Sequence, residues 1–64
     1  MEVYAGAFEF LKREADPISI EKGLAILHGE VENRPNDAKA WFELAGGYDF
    51  LGREHEALPH YEKA

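Results

Sequence analysis

Apolar residues recur at helical spacing in four successive segments, each closed by proline, glycine or capping residues. In the first, from about Glu2 to Glu14, Tyr4, Ala7, Phe8 and Leu11 stand at i, i+3, i+4 and i+7 and predict one buried face. Proline disfavours helical geometry at Asp16, which is thereby freed to cap a second helix with Pro17 at its first position. That helix, Pro17 to about Asn33, carries the stripe Ile20, Leu24, Leu27 and Val31. Gly23 lies inside it at a cost of about 1 kcal/mol relative to alanine, which fits close approach of another backbone. Asn33-Arg34-Pro35-Asn36-Asp37 reads as a turn. A third helix, about Ala38 to Leu51, is capped by Asn36 or Asp37, carries Trp41, Leu44, Ala45 and Tyr48, and ends at Gly52. The fourth starts near Arg53 and still runs at Ala64, with Ala57, Leu58, Tyr61 and Ala64 as its stripe. Pro59, about two turns in, predicts a local kink. Strand signals are weak, so the pattern predicts an all-α array of antiparallel helix pairs joined by short turns.

The pattern also repeats. A slide of 34 residues places Phe8-Glu9-Phe10-Leu11 on Phe42-Glu43-Leu44-Ala45, Gly23-Leu24 on Ala57-Leu58, and Leu27 on Tyr61. In the second half, Trp41, Leu44, Ala45, Tyr48, Gly52, Ala57, Tyr61 and Ala64, with Pro35 just ahead, form a spacing that resembles the tetratricopeptide repeat family, whose period is about 34 residues. Ala45 replaces the usual glycine. The first half is degenerate, with Ala7, Phe10, Leu11, Glu14 and Leu27 departing from the pattern and Gly23 and Pro35 keeping it. The stretch from Trp41 to Ala64 is further similar to a branch of the family found in short bacterial proteins. The resemblance implies one domain over residues 1–64. A worn repeat would cover 4–37 and a well-matched one 38–64, stacked as an α-solenoid with right-handed superhelical twist.

The resemblance implies work in protein–protein interaction, as a module or scaffold that holds a peptide or partner protein in a concave groove. The groove positions carry over to Phe8, Lys12, Lys39, Phe42, Gly46, Asp49 and Phe50, with Ala5, Glu9 and Glu43 beside them. Phe8 and Phe42 share one repeat position, and side by side they would make an apolar floor. Gly46-Gly47 costs roughly 1–2 kcal/mol of helix propensity; one reading is approach of a ligand backbone or a neighbouring chain at Gly46, and the plainer one is tolerated drift or close packing with the adjacent helix. Some family members grip a C-terminal carboxylate with Lys and Asn in the groove; here the matching positions hold Phe42 and Gly46, so that clamp is not expected. The expected occupant is an apolar or mildly basic peptide, or a second copy of the chain. About three repeats are usually needed to bury each unit's apolar face. Two units therefore point to a longer array, or to a homo-oligomer closed through Leu58 and Tyr61. The alternative function is thus a self-associating structural unit.

Composition narrows the field. Sixty-four residues make one small domain, which buries only about 60% of its unfolded surface. The net charge of −6, with no basic cluster beyond Lys12-Arg13, argues against a nucleic-acid partner. No apolar run approaches the roughly 18 residues of a membrane span, and Met1-Glu2-Val3-Tyr4 lacks the positive start of a secretory signal. The absence of cysteine fits a reducing compartment, and a cytoplasmic location is expected.

Catalysis finds little to stand on. His55-Glu56-Ala57-Leu58-Pro59-His60 approaches the H-E-x-x-H zinc motif, but the five-residue spacing turns the second imidazole about 140° from the first. Both histidines read as solvent-facing, and His28 as a partly exposed flank of the second helix. The carboxylates are scattered; Glu9 and Arg13 have favourable i, i+4 spacing. Trp41, Tyr48 and Tyr61 read as core rather than as an aromatic binding box. No catalytic, cofactor or metal site is expected, and a metal-dependent enzyme around His55 and His60 is the remote alternative.

Overall fold

The computed structural model describes residues 3–13 and 16–64, and over these the chain forms four α-helices: α1 (Val3–Leu11), α2 (Pro17–Asn33), α3 (Ala38–Phe50) and α4 (Glu54–Lys63). No strand occurs among the described residues. Glu2 and Glu14, expected at the ends of the first helix, lie outside them.

Local signals set the boundaries. The Asp16 carboxylate accepts from the Ile18 and Ser19 amides at 3.0 and 3.2 Å, with Pro17 opening the helix. Asp37, rather than Asn36, caps α3 by accepting from the Lys39 amide at 3.0 Å. After α3, Gly52 takes φ +78. The Gly52 amide donates to the Asp49 carbonyl and the Arg53 amide to the Tyr48 carbonyl, at 3.0 and 2.9 Å, the paired bonds of a Schellman stop. Pro59 does not interrupt α4. It removes the amide that would bond the His55 carbonyl, but both residues are exposed and water can take its place.

Helix α3 is the hub. It packs on α1, α2 and α4, while the α4 backbone comes close to α3 alone among the described helices. Contacts place α1 antiparallel to α2: Ser19 Oγ donates to the Phe10 carbonyl at 2.8 Å, and Gly23 lies against Ala7 and Leu11 farther back along α1. Along α1 and α3, Lys39 meets Tyr4, Gly46 faces Phe8 and Gly47 faces Leu11, so those helices run parallel. The radius of gyration, 10.8 Å, equals the roughly 10.7 Å expected of a compact domain this size. The backbone spans 32 × 27 × 14 Å, a slab thin enough that both broad faces meet water.

The core is correspondingly small. Leu11, Leu27 and Leu44 are its largest fully buried side chains, joined by Tyr4, Ala7, Val31 and Ala40. The α2 stripe sits differently from its sequence reading: Ser19, Gly23, Leu27 and Val31 are buried, while Ile20 and Leu24 pack partly exposed at the margin. In α3, Ala40 and Gly47 are buried beside Leu44 and Ala45, and Trp41 and Tyr48 stand half-buried around them. In α4 only Ala57 is buried, and Leu58, on the expected apolar stripe, is 57% exposed. The physical reason is close helix approach. A Cβ on Gly23 would lie 2.8 Å from the Ala7 carbonyl oxygen and 2.7 Å from Leu11 Cδ2, so the crossing point accepts only a hydrogen and larger neighbours flank it.

Candidate partner-binding surface

Lys39, Phe42, Gly46, Asp49 and Phe50 recur at helical spacing along one face of α3. Beside it stand Phe8, on the parallel α1, and Lys12, one turn on and just past the end of that helix. The rings pair differently from the sequence expectation. Phe8 packs edge-to-face on Phe50, with centroids 5.9 Å apart, and Phe42 packs the same way on Tyr61 of α4 at 5.7 Å. Gly46 lies between: a Cβ there would meet only Phe8 Cζ, at an ordinary 3.8 Å. Phe42 and Phe50 remain 55% and 47% exposed, so the strip is an apolar surface rather than part of the core.

Charges line this strip without crowding it. Lys12 pairs with Glu9 at 3.2 Å, both well exposed, so Glu9 does not adopt its expected pairing with Arg13. The Arg13 guanidinium instead lies over the Phe10 ring, 5.9 Å from its centre. Lys39 leans over Tyr4, 5.5 Å from its ring centre. Asp49 accepts from the Tyr61 hydroxyl at 3.3 Å. Lost hydration, then the charge of Asp49 and that hydrogen bond, push the Tyr61 hydroxyl above its ordinary pKa. Tyr61, grouped by sequence with Leu58, thus closes the α4 side of the strip, while Leu58 stays open to water.

A second cluster was not anticipated. His60, read as solvent-facing, is half-buried, with its ring stacked on Tyr48 (5.4 Å, 16°) and on Trp41 (5.9 Å, 24°) and edge-on to His28 (6.0 Å, 84°). His28 Nε2 lies 2.7 Å from the Tyr48 hydroxyl, and Trp41 Nε1 donates to the Pro35 carbonyl at 2.8 Å. Lost hydration, then the charge of His28, lower the His60 pKa, against an upward pull from Glu56. Lost hydration, then Glu56, raise that of Tyr48. One signal was present in the sequence: His60 stands three residues after the buried Ala57, on the same helix face. His55 is exposed, as expected. Among the described residues no group of three or more His, Cys, Asp or Glu side chains is placed to hold a metal, and no helix is long and apolar enough to cross a membrane.

No family model, curated protein or solved structure matches the chain.

Proposed function

We propose that this chain is a tetratricopeptide-like pair of helical hairpins, stacked in solenoid fashion, that binds a segment of another protein across α1 and α3. The observation that carries the reading is the strip of Phe8, Phe42, Gly46 and Phe50, whose aromatic rings stay half-exposed on a surface with space above a glycine. Large aromatics anchor most protein interfaces, and exposing them has a cost that binding recovers. Glu43 and Asp49 on α3, together with the net charge of −6, favour an occupant with apolar anchors and flanking Lys or Arg. Catalysis has no comparable support.

Peptide selection on the immobilised protein tests this. Selected peptides should carry apolar anchors beside basic residues, and should bind a Phe42→Ala/Phe50→Ala variant roughly tenfold or more weakly than the wild type. Circular dichroism should show unchanged helicity, because both side chains lie outside the core cluster. Equal binding by the variant would remove the strip from consideration.

Self-association is the second reading, favoured by Leu58. Its counterpart one repeat earlier, Leu24, is partly buried and lies beside Gly47 of the following hairpin, whereas Leu58 is 57% exposed. Light scattering that finds only monomer at high micromolar concentration would dispose of this reading, and Leu58→Glu should dissociate any oligomer it supports.

A further inference from the structure

Helix α4 is the least anchored element among the four described. Its backbone comes close to α3 alone, and it buries only Ala57 and reaches α2 through the His60 ring against His28. That ring is held on three sides: Tyr48 and Trp41 of α3 stack on it, and the edge of His28 meets it. Among the described residues it makes no side-chain hydrogen bond, whereas His28 has the Tyr48 hydroxyl, which can donate to a bare ring nitrogen or accept from a protonated one. A proton on His60 therefore finds no side-chain partner and is met by water alone.

We propose that His28, Trp41, Tyr48 and His60 form a proton-operated latch that fixes α4 to the body of the molecule while His60 is neutral and releases it on acidification. The surrounding charges leave this intact. On α4, Glu56 would favour the cation but is paired with Arg53 at 3.7 Å, and Lys63 lies over the Trp41 ring at 5.9 Å. On α2 the facing group is His28, whose charge adds repulsion, and on α3 Tyr48 is neutral throughout the range concerned. Because His60 binds its proton less readily when folded, the unfolded segment takes up protons first as pH falls below the ordinary value of 6.5. The latch therefore holds fully above that value and loosens below it. This device is independent of what the aromatic strip binds.

Trp41 is the chain's single tryptophan and touches the latch, so its fluorescence reports it directly. Between about pH 8 and about pH 5, wild-type emission should change and amide protection factors over 54–63 should fall several-fold, with α1 and α2 unaffected. His60→Phe, which keeps a ring but cannot titrate, should flatten both responses, and His55→Phe should leave them as in the wild type. Unchanged wild-type protection, or an equal loss in His60→Phe, overturns the latch. So does tightening of α4 in acid, the outcome expected if the two stacked rings favour the imidazolium. Should His60→Phe fail to fold, the wild-type His60 ring resonance decides instead. Titration below the ordinary histidine value supports the latch, and titration at or above it overturns the latch.

Discussion

The two hairpins share a frame but close in different ways. Gly23 of α2 and Ala57 of α4 stand 34 residues apart, and both are small, buried residues facing the preceding helix. Around Gly23 the contact is aliphatic and tight, made by Ala7, Leu11 and the α1 backbone. In the second hairpin, rings meet across α3 and α4: His60 between Trp41 and Tyr48, and Tyr61 against Phe42. The α1–α2 crossing is specified mainly by shape, with one hydroxyl bond from Ser19 to the Phe10 carbonyl beside it. The second hairpin is specified by stacking and by directional bonds to nitrogen and oxygen, which tolerate looser packing but respond to protons. One repeat period thus builds a rigid half and a responsive half.

The strongest way to break the rigid half is Gly23→Ala. Alanine improves helix propensity by about 1 kcal/mol, but its methyl would stand 2.8 Å from a backbone oxygen that cannot rotate away. Net destabilisation of about 1–3 kcal/mol is expected. In a domain of this size each kcal/mol lowers the melting temperature by roughly 4–8 °C, read by circular dichroism. A variant as stable as the wild type would mean that α1 and α2 do not approach as described.

The responsive half should be more forgiving. Trp41→Phe keeps a ring against His60 but loses the indole bond to the Pro35 carbonyl, which is exposed and can turn to water. A loss of about 1 kcal/mol is expected, smaller than at Gly23, measured by thermal or denaturant unfolding. A larger loss would show that this hairpin depends on shape as strictly as the first.

The sequence discloses the rigid frame better than the responsive one, for physical reasons. Asp16, Pro17, Asp37 and Gly52 act on their immediate neighbours, so local chemistry suffices to place all three turns. The α2 stripe is misplaced by one residue in its first half because hydrophobicity ranks Ile20 and Leu24 above Ser19 and Gly23. Close helix crossings reverse that ranking and select the smallest side chain. Ala40 is missed on the same ground, whereas close packing of Gly47 on the adjacent helix is one of the alternatives its sequence reading offers. The exposed positions Phe42, Asp49 and Phe50 are legible because they are what the stripe leaves over. Which rings pair is not legible, since Phe8 with Phe50 and Phe42 with Tyr61 depend on how neighbouring helices are offset. His60 escapes because the partners that bury it lie on α2 and α3, and the metal-like spacing with His55 draws attention to the wrong neighbour.

The smallest effect separates two adjacent glycines. A Cβ on Gly47 would lie 2.5 Å from Leu27 Cδ1 and 3.4 Å from Leu11 Cδ1, both fully buried side chains with little room to yield. On Gly46 the nearest atom is Phe8 Cζ at 3.8 Å, ordinary contact with a half-exposed ring. Both substitutions to alanine gain the same helix propensity, so the difference between them isolates packing. Gly46→Ala should raise stability by up to about 1 kcal/mol, and Gly47→Ala should fall short of it, both read by thermal unfolding. If the aromatic strip binds a peptide, Gly46→Ala should also weaken that binding while strengthening the fold, because its methyl fills the space between the ring pairs. Stability and affinity moving in opposite directions is a signature that neither a packing role nor neutral drift at Gly46 produces. An alanine variant both more stable and equally able to bind would leave the strip's outer rings to carry recognition without the opening at Gly46.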